Sequence, residues 1–116
     1  MPEKDKTNVT AGVKISKLHW LFSFLAGMFL FNAIPHFING ISGNAFPTPF
    51  ADPPGKGLSS PELNVAWAIL NIGVGYLLAR SSVLKNKTTT NIVLFLIGAI
   101  AISLMLSIAF TAKAAL

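Results

Sequence analysis

Two sets of polar residues sit inside otherwise apolar stretches of this chain, at spacings that put each set on one helical face. Asn32, His36 and Asn39 lie at i, i+4 and i+7, and Asn64, Trp67 and Asn71 lie at i, i+3 and i+7. A carboxamide brings two donor hydrogens and two acceptor lone pairs, an imidazole brings a titratable ring nitrogen, and an indole donates from Nε1. In a medium without water these groups are costly unless paired, so the two faces are predicted to turn toward each other. Pro35 adds to the demand, because it has no N–H for the carbonyl of Phe31. A bend or unwinding of the helix is expected there, with Asn71 placed to satisfy the freed carbonyl.

Two readings of this pattern stand side by side. One is a ligand-binding pocket lined by Asn32, His36, Asn39, Asn64, Trp67 and Asn71 and covered by Phe46, Phe50 and Asp52, with His36 opposite Asn71. The other is an interhelical hydrogen-bond network that holds the helices in register, each bond contributing about 0.6–2 kcal/mol. The network carries the greater weight, against which an ionisable residue inside an apolar span, a functional candidate by default, weighs toward the pocket.

Other chemistries find little support. The chain has no cysteine, which removes disulfides, thiolate metal sites, iron–sulfur clusters and cysteine nucleophiles. Its two histidines, His19 and His36, are separated by about 26 Å of helix at 1.5 Å per residue, so no metal site and no haem or other cofactor is expected within one copy. Gly40-Ile41-Ser42-Gly43 lacks the spacing of a nucleophile elbow. His36 with Asp52, joined by Ser42, Ser59 or Ser60, would make an acid/base group only if the loop folded back, and nothing in the spacing requires it. No acidic residue lies inside a span, which weighs against a proton relay. A non-enzymatic role is expected.

The elements that must position these residues follow from composition. Of 116 residues, 53% are hydrophobic and 11% charged, against about 25% charged for a soluble domain. Three stretches without Lys, Arg, Asp or Glu, near Leu18–Ile38, Leu63–Ala79 and Ile92–Ala112, are long enough for a hydrocarbon core that takes about 20 residues to cross. The predicted fold is an all-α integral membrane protein of three transmembrane helices. A flexible cytoplasmic tail over 1–17 precedes a membrane domain over 18–116. A cleaved signal peptide is the rival for the first span, but the run exceeds an h-region of about 7–15 residues and ends Phe31-Asn32-Ala33-Ile34-Pro35 without a small-residue cleavage site.

Lys4, Lys6, Lys14, Lys17, Arg80, Lys85 and Lys87 fall on one side of this layout, Lys56 and Lys113 on the other. Basic loops stay inside, so the N-terminus is expected in the cytoplasm and the C-terminus outside. The net charge of +5 suits anionic lipid headgroups, whereas the scattered lysines lack any nucleic-acid module. Trp20 and Tyr76 suit an inner aromatic belt.

The outer connection, residues 39–61, holds five prolines, four glycines and two phenylalanines but only Asp52 and Lys56 as charges. That composition predicts a shaped loop packed on the helices rather than a linker. Ser59-Ser60-Pro61-Glu62 and Asn86 to Asn91 supply helix starts for the second and third spans. Ala99, Ser103, Ser107 and Thr111 in the third span and Gly73 and Gly75 in the second form small-residue faces. They serve packing within one copy, a homo-oligomer or a larger membrane complex, and the pattern does not choose among these.

Pro35-His36-Phe37, Phe46-Pro47-Thr48-Pro49-Phe50-Ala51, Pro53-Pro54-Gly55, Ser60-Pro61 and Asn64-Val65-Ala66-Trp67 together resemble a family of small bacterial inner-membrane proteins that carry a domain of unknown function. The resemblance covers about residues 32–78 and implies a bacterial cytoplasmic-membrane location without implying a chemistry. Two functions are therefore expected to compete: an accessory or lipid- or ligand-binding module working through the outer pocket and loop, and a homo-oligomeric transporter or channel with an Asn/His-lined path.

Overall fold

The computed structural model describes residues 3–114. Helix α1 runs Glu3–Ile41, short strands β1 and β2 cover Phe46–Pro47 and Leu58–Ser59, and helices α2 and α3 run Pro61–Arg80 and Thr89–Ala114. All three helices are long and apolar enough to cross a membrane.

Helix α1 differs from expectation at both ends. Its 39 residues amount to about 58 Å of helix, and the longest dimension of the molecule is 63 Å. Residues 3–17, expected as a flexible tail, are helical; Met1 and Pro2 of that tail lie outside the described residues. The segment holds four helix-favouring lysines, and the Thr10 and Ser16 hydroxyls bond back to the carbonyls of Lys6 and Gly12. At the other end the helix stays continuous through Pro35, so the predicted unwinding does not occur.

The later helices start where side chains accept their free N–H groups. Ser60 accepts from the Leu63 amide at 3.2 Å, with Pro61 in the first turn and Glu62 beside the positive helix end. Thr88 does the same for Asn91 at 3.2 Å.

Helix α1 is the centre of the molecule. It packs along α2 on one flank and α3 on the other, while α2 and α3 barely meet. The α1–α3 crossing depends on two isolated glycines: a Cβ on Gly27 would run into the Phe95 carbonyl, and one on Gly98 into the Phe24 carbonyl. Against α2, Gly75 admits the Leu30 side chain and Gly40 admits Val65. Of the small-residue faces anticipated from sequence, Ala99 and Gly75 are buried at these contacts, but Gly73, Ser103, Ser107 and Thr111 are exposed.

What is buried is small or polar, chiefly Ala26, Ala33, Ala68, Ser23, His36 and Asn64, while leucines and isoleucines of all three helices face outward. This is the reverse of a soluble core and the arrangement that hydrocarbon surroundings favour.

The 39–61 loop is folded, and it adds a strand pair to an otherwise helical chain. β1 and β2 pair antiparallel, Phe46 opposite Ser59, and the Thr48 and Ser59 hydroxyls share a hydrogen bond of 2.5 Å. The turns pass through Gly43 and Gly55 at φ of 75° and 70°, which a residue without Cβ adopts freely. Phe46 packs against His36 of α1 and Phe110 of α3, at ring separations of 5.3 and 4.8 Å, and Phe50 stands edge-on to Trp67 of α2 at 5.6 Å. The loop thus touches all three helices. Replacing Phe46 and Phe50 together by serine is expected to cost about 2 kcal/mol, below the 3–5 kcal/mol of fully buried phenylalanines, and to lower the melting temperature in detergent.

Candidate functional site

The polar face of α1 meets that of α2 in two rungs, each anchored on backbone carbonyls. In the rung nearer the loop, the fully buried Asn64 directs Nδ2 at the carbonyls of Phe46, Ser59 and Ser60, at 3.0, 3.1 and 3.0 Å. Three acceptors around one atom identify it as the amide nitrogen, so Oδ1 is the atom facing His36 Nδ1 at 2.8 Å. An amide oxygen only accepts. The neutral imidazole therefore carries its proton on Nδ1 and its lone pair on Nε2. Phe46 and Trp67 stand edge-on to the ring, leaving His36 3% exposed.

The second rung repeats this logic one turn deeper. Asn71 donates from Nδ2 to the Trp67 carbonyl at 2.8 Å, and its Oδ1 accepts from Asn32 Nδ2 at 3.1 Å. Asn32 is left with its carbonyl oxygen pointing to no partner. Both relays thus end on α1, one turn apart, and both end in an acceptor: Asn32 Oδ1 and His36 Nε2. Neither terminal atom has a hydrogen-bond partner among the described residues. Among the described residues, the fully buried polar side-chain atoms without a partner are instead Ser23 Oγ, Trp67 Nε1 and Asn91 Oδ1.

Because α2 and α3 barely meet, a groove of about 210 Å³ opens between them above α1. Met28, Phe29 and Asn32 form its floor, Trp67 and Asn71 one wall and Ile102 the other. Its surface is apolar apart from the Asn32–Asn71 rung. The indole N–H of Trp67, in the same wall, is buried without an acceptor.

The structure rearranges part of the predicted site. His36 pairs with Asn64 and not with Asn71, and Asn71 serves Asn32 and the Trp67 carbonyl rather than that of Phe31. Asn39 turns onto the Pro35 carbonyl of its own helix at 2.8 Å and joins neither rung. Asp52 is exposed and has no bond to His36, because the turn through Gly55 and Gly57 carries it outward; the Asp52 backbone instead lies where a Cβ on Gly57 would be. Phe46 is a wall of the His36 site, while Phe50, 52% exposed, covers only Trp67. Sequence reasoning missed Met28, Phe29 and Ile102, apolar residues in apolar runs with no distinguishing signal. Among the described residues no three His, Cys, Asp or Glu side chains gather to hold a metal ion.

No protein family, curated protein or solved structure matches this chain. The site is therefore read from its chemistry. An unpaired acceptor, Asn32 Oδ1, on the floor of an apolar groove suits an apolar molecule that carries a hydroxyl or amine.

Proposed function

We propose that this chain is a small bacterial inner-membrane protein acting as a non-enzymatic binding module, which holds a membrane-soluble molecule bearing a hydroxyl or amine in the groove between α2 and α3. The outward-facing leucines and isoleucines support the membrane location, and the bias of basic residues toward the α2–α3 connection and the N-terminal segment supports a cytoplasmic N-terminus and an external C-terminus. The observation that carries the binding role is the polarity of the two relays: each ends on α1 in an acceptor that the protein leaves without a donor. A channel reading would need the asparagine faces to line an axis between copies, whereas they are turned to each other within one copy. An accessory role would bring a larger membrane partner onto the exposed outer loop.

Native mass spectrometry of the chain extracted in mild maltoside detergent tests the binding role. Wild type should carry a small adduct, and Asn32→Val, which removes the terminal acceptor beside the groove, should lose it at least tenfold, about 1.4 kcal/mol, while keeping its helicity. Equal occupancy in the two proteins, or no adduct on wild type, would refute the proposal. The topology has its own check in this cysteine-free chain. Single cysteines at the exposed positions Asn44 and Asp52 should react with an impermeant thiol reagent in intact cells, and cysteines at Thr7 and Thr89 should not.

A further inference from the structure

A second pocket, of about 230 Å³, lies at the opposite end of the molecule, where α1 passes under the start of α3. Ser16, His19 and Trp20 of α1 face Asn86 and Thr88 of the α2–α3 connection there, and Thr90 and Asn91 close it from the first turn of α3. We propose that this pocket binds the phosphate-bearing headgroup of a membrane phospholipid whose alcohol or amine reaches Asn91. The proposal rests on the membrane location but is independent of the groove.

The pocket offers donors where a phosphate would sit. The Thr88 oxygen accepts from the Asn91 amide, so its own hydrogen is free to donate. The side chains of His19, Asn86 and Thr90 make no hydrogen bond among the described residues, and the first N–H groups of α3 add the positive end of a 26-residue helix. Lys17, Lys85 and Lys87 adjoin lining residues in the chain, and lysine serves phosphate as a compact positive charge.

The second observation is of opposite sign. Asn91 is 2% exposed, donates from Nδ2 to the Asn86 carbonyl at 2.8 Å, and has an Oδ1 that is buried with no donor. A buried acceptor left unpaired is costly, and a simple anion would not relieve it. A headgroup that joins a phosphate to a hydroxyl or an ammonium matches both: the phosphate meets the hydroxyls and the helix end, and the headgroup hydrogens meet the carboxamide oxygen. Phosphoglycerol and phosphoethanolamine have this form. Trp20, on the pocket wall, is the residue type that settles at headgroup depth.

Trp20 is also the reporter. In a Trp67→Phe background it is the one indole left, and the full chain in maltoside micelles can be titrated with dihexanoyl-phosphatidylglycerol or dihexanoyl-phosphatidylethanolamine. The expected result is a saturable shift of Trp20 emission. It should weaken at least tenfold in a His19→Leu, Thr90→Val double variant, whose helicity by circular dichroism should match the parent, since neither side chain is buried. Dihexanoylglycerol, which lacks phosphate, should give no saturable shift, and inorganic phosphate should bind at least tenfold more weakly than either lipid. If Trp67→Phe does not fold, native mass spectrometry of the wild-type chain with and without the double substitution reads the same retention of one phospholipid. An absent or non-saturating response, an equal response to dihexanoylglycerol or to inorganic phosphate, or retention unchanged by the double substitution would each overturn the assignment. Since neither His19 nor Thr90 lines the groove, phospholipid retention by the wild-type chain is read independently of the groove adduct, and the reverse holds.

Discussion

Asn64→Leu is expected to be the most damaging single substitution in the chain. It deletes the donor shared by the Phe46, Ser59 and Ser60 carbonyls and the acceptor of His36 Nδ1–H, all at a position with no exposed surface. Each buried group left unpaired costs about 1–3 kcal/mol. Water from the loop side can relieve some of them, which puts the loss on the order of 4 kcal/mol, in the range seen when a buried network is broken. The loop should come away from the helices as well, since the Asn64 side chain ties both of its strands to α2. Thermal melts in maltoside should show a much lower midpoint, and proteolysis within residues 42–58 should be faster than in wild type. Asn39→Ala, which removes a bond made only within α1, should be close to silent in both assays.

Gly98→Val should separate α3 from α1. The Cβ alone would overlap the Phe24 carbonyl, and Gly27 meets the Phe95 carbonyl in the same way across the crossing. Backbone atoms cannot move aside as a side chain can, so the helices must part, and the packing lost with them exceeds the usual 1–3 kcal/mol of an overfilled site. Gly27→Val should behave alike. Gly73→Ala is the matched control: nothing lies within 4 Å of the added methyl, and trading glycine for alanine in a helix gains up to about 1 kcal/mol. A melting series in detergent should rank Gly73→Ala at or above wild type and both valine variants far below it. Equal tolerance at Gly98 and Gly73 would mean that the close crossing is absent.

Some of this was legible in the residues and some was not, for physical reasons. Three helices long and apolar enough to cross a membrane were legible because charge-free length is a property of the sequence alone, and so was the mutual facing of the asparagine sets, since an amide among apolar side chains needs a partner. The folded loop followed from its prolines and phenylalanines. The register between α1 and α2 was not legible. About two turns of α2 separate the pairing of His36 with Asn71 from the observed pairing with Asn64, and that offset is set by how Gly40 meets Val65 and Gly75 meets Leu30, contacts that depend on three-dimensional fit. Gly27 and Gly98 carry no repeat, so nothing set them apart from other glycines. The repeating Ala99, Ser103, Ser107, Thr111 stripe looked more like an interface, yet only its first member packs. Asp52 was misplaced because a turn between Pro53 and Gly57 decides which way its side chain points, and the approach of that backbone was invisible in one dimension.

The binding proposal stands on the polarity of the relays, and the side-chain ¹⁵N spectrum of His36 reads that polarity directly. The full chain in maltoside micelles, labelled at histidine and compared with a His19→Gln variant to assign the two rings, reports which nitrogen carries the proton in the neutral form. If the Asn64 amide is oriented by its three carbonyls, His36 will show a protonated Nδ1 and an unprotonated Nε2. A neutral His36 protonated on Nε2 would reverse the relay, make the imidazole a donor rather than an acceptor, and contradict the proposed site.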